Sequence, residues 1–137
     1  MIAYFDASAL IYLIEGESRL ARKIGDEIEK LDRVHRNLRI AASRLSWLEC
    51  RIVPMRAGEH EVLARYDEFF AQTGFVWVEL TQQVIELATV IRARHGLRTP
   101  DALQAASCMN FSAQHAFLTG DKAFRRVEGL NAIVLSA

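Results

Sequence analysis

Short strand-like runs alternate with helix-period segments along this whole chain, and that alternation leaves few folds open. Ile2-Ala3-Tyr4-Phe5, Phe75-Val76-Trp77-Val78-Glu79-Leu80, His115-Ala116-Phe117-Leu118 and Asn131 to Leu135 are apolar, aromatic or β-branched. Leu38 to Ala42 is a weaker candidate strand. Between these runs, apolar residues return at helical spacing. Ser8 to Glu15 carries Leu10, Ile11, Leu13 and Ile14 and stops at Gly16. Ser18 is placed to cap a helix to about Leu31, with Leu20, Ile24, Ile28 and Leu31 on one face. Arg33 to Arg39 reads as a polar, basic connection. Ser43 is placed to cap a helix from Arg44 to about Val53, which Pro54 should end or kink. Glu59 to Ala71 follows as a helix. Thr81 caps a long one to His95, closed by Gly96. Pro100 to Ser112 is a helix with Pro in its first turn, and Asp121 to Val127 a short helical turn.

Strands separated by helices imply a parallel sheet covered on both faces. A chain of 137 residues fits one domain, 1–137. The expectation is a single α/β domain with a central parallel sheet of about four to five strands. A chain of this length buries roughly 65–70% of its unfolded surface, enough for a core. In open parallel sheets, ligands gather beyond the carboxyl ends of the strands.

Bulk charge does not point to nucleic acid, because the formal net charge is zero. The cations are lopsided, 14 Arg against 3 Lys, and Arg presents a planar fork matched to phosphate oxygens. Cys50 and Cys108 lack the closely spaced pairs of a zinc site and read as small core residues. No leader is expected, since Met1 to Phe5 runs straight into an acid. No apolar run approaches the ~20 residues needed to span a bilayer. The expected setting is the cytoplasm, with both thiols free.

Four acids stand in apolar or element-boundary positions: Asp6 after the first strand, Glu49 within Leu45 to Ile52, Asp101 opening a helix, and Asp121 after a strand. Each alone has an ordinary explanation. Asp6 or Ser8 could cap a helix, Asp121 could cap its turn, Asp101 suits a helix dipole, and Glu49 could lie on a solvated stripe. Together, acids at two strand ends and one helix start converge on one rim. Clustered carboxylates repel and raise one another's pKa, and a divalent ion removes that penalty. Mg²⁺ and Mn²⁺ prefer such oxygen ligands.

The ordered set Asp6-Ala7-Ser8, Glu49 on a mid-chain helix, Thr99-Pro100-Asp101-Ala102-Leu103-Gln104-Ala105-Ala106 and Leu118-Thr119-Gly120-Asp121-Lys122-Ala123-Phe124 resembles the successive motifs of PIN-domain ribonucleases. It is most similar to the VapC toxins of bacterial toxin–antitoxin modules. The resemblance covers essentially the whole chain. It implies a PIN-like fold and an acidic pocket that binds Mg²⁺ or Mn²⁺ and cuts single-stranded or loop RNA. Asp6, Glu49, Asp101 and Asp121 map onto the family's acidic positions, with Asp6, Asp101 and Asp121 as metal ligands. Ser8 and Thr119 map onto supporting hydroxyls. Glu59 and Glu61 compete with Glu49 for its role. The resemblance also implies a VapB-like antitoxin partner and a homodimer.

Arg98 and Lys122 flank two of the acids and are candidate phosphate contacts. His35, His60, His95 and His115 are scattered, which disfavours a metal-free His-pair ribonuclease, and His115 reads as structural. Response regulators want paired acids after the first strand, and haloacid-dehalogenase phosphatases want Asp-x-Asp there; here Ser8 fills the second position. A non-catalytic PIN-fold module that binds RNA or protein is the alternative, although such a module needs none of the four acids. Tyr12, Trp47, Leu48, Met55, Phe69 and Phe70 belong mostly to the core. A surplus among the helices Ser8 to Glu15, Ser18 to Leu31 and Arg44 to Ala71 would form a groove for an amphipathic helix.

Overall fold

The computed structural model describes residues 1–135. Five strands form one sheet: β1 (Ile2–Phe5), β2 (Arg39–Ser43), β3 (Val76–Val78), β4 (His115–Thr119) and β5 (Ala132–Val134). Their order is β3-β2-β1-β4-β5, and every pairing is parallel. The chain builds outward from β1 to β2 and β3, then crosses back to place β4 and β5 on β1's other side. That reversal makes the β1/β4 boundary a topological switch point, where strand ends leave a crevice.

The pleat sends alternate β1 side chains to opposite faces. Ile2 and Tyr4 join Ala41, Val76 and Phe117 in a core covered by α5 (Gln82–His95) and α6 (Thr99–Phe111). Ala3 and Phe5 join Ala42 and Leu118 in a second core. That one is covered by α1 (Ala7–Glu15), α2 (Ser18–Val34), α3 (Arg44–Arg56) and α4 (His60–Phe70). Both faces of the sheet are therefore covered, as the β–α alternation requires. A 3₁₀ turn, η1 (Lys122–Arg126), follows β4.

Several boundaries differ from the sequence reading for local reasons. Asp6, not Ser8, caps α1, accepting from the backbone N of Ala9. Ser18 is the first helical residue of α2, and Glu17 holds the cap position without a side-chain bond. The helix runs past Leu31 to Val34, so the expected connection from Arg33 is shorter. Asp32 and Arg33 are tolerated in a helix, and Arg33 suits the negative end of its dipole. Pro54 lies in the last turn of α3, which continues to Arg56; so near the end, the ring removes only the bond to the Cys50 carbonyl. At the sheet edge, β3 is only three residues long. It pairs with β2 alone, and β2 ends at Ser43, opposite Val78, leaving Glu79 and Leu80 no strand to pair with. Gly96 closes α5 at φ 67°, a left-handed value that glycine takes without strain.

Both thiols are free and buried, and burial pushes the Cys50 thiol up to about 12. His115 is built into the start of β4: Nδ1 lies 2.8 Å from the Ser112 carbonyl and Nε2 accepts from the Asn131 backbone N at 3.1 Å. Both ring nitrogens are thus used structurally. Among the described residues, no helix is long and apolar enough to cross a membrane.

Candidate functional site

Register sets the site. Phe5 pairs with Leu118, so the next residues, Asp6 and Thr119, meet where β1 and β4 end. Asp6 is only 5% exposed. Its Oδ1 accepts from Ser8 Oγ at 2.7 Å and from the Ala9 backbone N at 2.9 Å. Its Oδ2 accepts from Thr119 Oγ1 at 2.5 Å. Three donors occupy three of roughly four acceptor positions on the carboxylate, leaving Oδ2 room for one more partner. Burial nevertheless dominates and raises the Asp6 pKa from 3.8 to about 6; the three hydrogen bonds oppose the shift, and the Asp101 charge adds to it.

The two hydroxyls also organise the loop after β4. Ser8 Oγ accepts from the Gly120 backbone N at 2.8 Å, and Thr119 Oγ1 accepts from the Asp121 backbone N at 3.0 Å. Asp121 in turn caps η1, with Oδ1 accepting from the Ala123 N at 2.8 Å. Gly120 leaves room for Tyr12: a Cβ would lie 2.4 Å from the Tyr12 hydroxyl and force that side chain to move.

Asp101 stands in the first turn of α6, where Pro100 starts the helix. It is half-buried, and Arg98 Nε lies 3.6 Å from its Oδ2. Burial raises its pKa; the Arg98 charge opposes this and the Asp121 charge reinforces it. Glu49 comes from α3, and its Oε1 accepts from Gln104 Nε2 at 2.9 Å.

Asp6, Glu49, Asp101 and Asp121 all border one cavity of about 220 Å³, which Ser8 and Arg98 also line. Thr119 lies behind it, against Asp6. Glu59 and Glu61, the competitors of Glu49, line a separate depression at the start of α4. Lys122 faces a neighbouring hollow shared with Asp121 and Arg126. A larger cavity of about 450 Å³ lies between α5 and α6, but its lining is mainly apolar and contains no acid. The acidic cavity is where the chemistry can reside.

The donor set suits a hard divalent cation, since four carboxylates and two hydroxyls offer only oxygen. Among the described residues, no group of three or more His, Cys, Asp or Glu side chains is placed to hold a metal ion. Mg²⁺ and Mn²⁺ keep several waters, so they need only one or two carboxylates directly and can meet the others through water. Burial is the main cause of the raised pKa values of Asp6 and Asp101, and the neighbouring carboxylates add a smaller push in the same direction.

Sequence reasoning missed Gln104, Tyr4, Ser46, Phe124 and Tyr12. Gln104 and Phe124 line the acidic cavity, and Tyr4 and Ser46 reach it through Gln104. A signal existed for Gln104: it is a lone amide in the apolar run Ala102 to Ala106, three residues after Asp101 and so on the same helix face. Tyr12 had no local signal, because its contact with Gly120 is long-range.

No curated protein matches the sequence significantly. Solved structures that share the fold include two toxin–antitoxin complexes. A VapBC2 complex from Rickettsia felis, bound to a DNA fragment from its promoter, aligns with a TM-score of 0.76 at 15% identity, covering 99% of this chain and 100% of that one. A toxin–antitoxin complex from Klebsiella pneumoniae aligns with a TM-score of 0.66 at 22% identity, covering 96% of each chain. At the sequence level, the family described as PIN domain matches residues 3–130. With that match spanning nearly all of it, this chain belongs to the PIN-domain family.

Proposed function

We propose that this protein is a metal-dependent endoribonuclease, the toxin of a VapBC-type toxin–antitoxin module, which hydrolyses phosphodiester bonds in single-stranded or loop RNA. The observation that carries this reading is the convergence of four carboxylates from distant parts of the sequence on one cavity at the switch point of the sheet. Family membership and the likeness to two toxin–antitoxin complexes support it.

Asp6, Asp101 and Asp121 would hold the Mg²⁺ or Mn²⁺ ion. The chemistry such an ion supplies is Lewis-acid polarisation of a phosphoryl oxygen and activation of water. Ser8 and Thr119 keep the Asp6 carboxylate in one orientation through their hydrogen bonds. Glu49 orients the attacking water or accepts its proton. Arg98 at the cavity, and Lys122 more weakly beside it, draw the phosphate backbone towards the acids, in a way that salt should weaken.

The antitoxin would cover apolar surface on α3. Trp47, Leu48, Ile52 and Met55 are exposed there, whereas Tyr12, Phe69 and Phe70 pack against the core. The toxin would work in the cytoplasm, as a homodimer when free of its antitoxin.

The decisive experiment incubates single-stranded RNA with the protein and Mn²⁺, with and without EDTA. Cleavage that EDTA abolishes is expected; cleavage that persists in EDTA would sink the metal-nuclease reading. Asp6→Asn and Asp101→Asn should each abolish cleavage in a folded protein. Co-expression with the protein encoded beside it should yield a stable, inactive complex; a monomer that ignores this neighbour would count against the module.

A further inference from the structure

Gln104 joins the buried sheet to the Glu49 carboxylate. It is 2% exposed, and Tyr4 is fully buried. Its amide oxygen accepts from the Tyr4 hydroxyl at 2.6 Å and lies 3.1 Å from Ser46 Oγ, while its amide nitrogen donates to Glu49 Oε1 at 2.9 Å. Tyr4 is itself immobilised, stacked on Phe117 at 5.3 Å between ring centroids. Ser46 is pinned as well, 3.2 Å from the Phe5 carbonyl.

These partners give the amide a direction. Reversed, it would set its oxygen against the Glu49 carboxylate and take the nearest acceptor from the buried Tyr4 hydroxyl. A glutamate at this position would repel Glu49, and an apolar residue would release it. Among the described residues, no other hydrogen bond holds the Glu49 carboxylate, and its Oε2 has none. A flexible glutamate tethered through one oxygen keeps the other for the cavity, where a water or a phosphate would sit.

We propose that Gln104 is a positioning residue for Glu49, anchoring its carboxylate to the buried Tyr4 and Ser46 so that the free oxygen addresses the cavity. This rests on the nuclease reading of the site for its effect on rate, but the anchoring itself can be read without any cleavage.

The test uses the full chain. Gln104→Met keeps the length and removes the polar connection. Its kcat should fall about 10- to 100-fold, a part of what a placed general base contributes. KM should stay within about 3-fold, as expected when an interaction of the transition state alone is lost. Mn²⁺ affinity by calorimetry should also hold, because Asp6, Asp101 and Asp121 are untouched. Gln104→Met also takes the hydrogen-bond acceptor from the buried Tyr4 hydroxyl, leaving it only Ser107 and Ser43 as polar neighbours, so the variant should melt at lower temperature. Tyr4→Phe combined with Gln104→Met removes that hydroxyl: stability should recover while kcat remains low. Recovery of both together would mean that Gln104 serves only the core, and the proposal would fall.

The anchoring is read by the Gln104 side-chain amide in ¹⁵N–¹H spectra. It should shift and exchange faster with solvent in Glu49→Ala than in the unmodified protein. An unmoved amide signal, or a Gln104→Met protein with full kcat, would overturn the proposal. If the unmodified protein cuts no RNA in Mn²⁺, the nuclease reading fails and the effect on rate with it, and the amide signal still decides whether Gln104 holds Glu49.

Discussion

Asp6→Asn should make the metal-free protein more stable. Asp6 is 5% exposed, and folding raises its pKa from 3.8 to about 6. Between those values the folded state binds more protons than the unfolded state, so stability falls as pH rises through the window and levels off above it. The full cost, reached near pH 7, is about 3 kcal/mol. Asparagine carries no charge and therefore escapes it. As a good cap, it can still accept from Ser8 and Ala9 through its oxygen. Its amide nitrogen would face Thr119 Oγ1, which now donates to Asp6 and would have to turn its proton elsewhere. That rearrangement costs about 1–2 kcal/mol, leaving a net gain of about 1–2 kcal/mol, or roughly 3–8 °C in Tm for a domain of this size.

The assay is thermal or urea unfolding of both proteins in EDTA at pH 7.5 and pH 5. The stability gap should narrow by about 1–2 kcal/mol at pH 5, where the wild-type carboxyl is largely protonated in the folded state. Adding Mn²⁺ should reverse the order, stabilising the wild type more than the variant, because a ligand that binds only the folded state adds to its stability. An Asn variant less stable than wild type at pH 7.5 in EDTA, or a gap that ignores pH, would refute the argument that the charge is buried at a cost.

Gly120→Ala should displace Tyr12 and the Asp121 loop, since the new Cβ would stand 2.4 Å from the Tyr12 hydroxyl; a combined Tyr12→Leu change should recover much of the loss in Tm. Phe117→Ala should cost about 3–5 kcal/mol in urea unfolding, because Phe117 is fully buried between Tyr4 and Phe124. Thr119→Val removes a donor to Asp6 and an acceptor for the Asp121 N; cleavage should fall by about tenfold or more while the fold persists, and unchanged cleavage would count against the hydroxyl's role. Cys50 and Cys108 should resist a thiol reagent in native buffer and react in urea, as both are buried.

The fold was legible because its signals are local. Strand composition at Ile2–Phe5 and His115–Thr119, the caps at Ser43 and Thr81 and the glycine after His95 all act within a few residues. What misled were effects of neighbours in space. The length of β3 depends on where β2 ends, and a proline near the end of α3 leaves that helix intact. The site divides the same way. Asp6, Asp101 and Asp121 could be placed at strand and helix ends from the sequence alone. Glu49 could not, since a glutamate on a helix becomes a cavity residue only through what α6 brings to it. Gln104 and Tyr4 are 100 residues apart, and their hydrogen bond has no sequence signature.

The cap and the site are one structure at Asp6, and this explains how a costly carboxylate is held where it is. A helix N-terminus offers unpaired N–H groups and a positive dipole end, so it keeps an acid in place without a metal. Oδ1 is committed to that task through Ala9 and Ser8, while Oδ2 accepts from Thr119 alone. One oxygen thus sets the position and the other remains available. Aspartate fits both demands: a glutamate would overshoot the cap, a serine would cap α1 but supply no second oxygen, and asparagine would cap it with no charge to attract a cation. The energetic cost of burying the Asp6 carboxylate is one that a cation in the cavity could relieve.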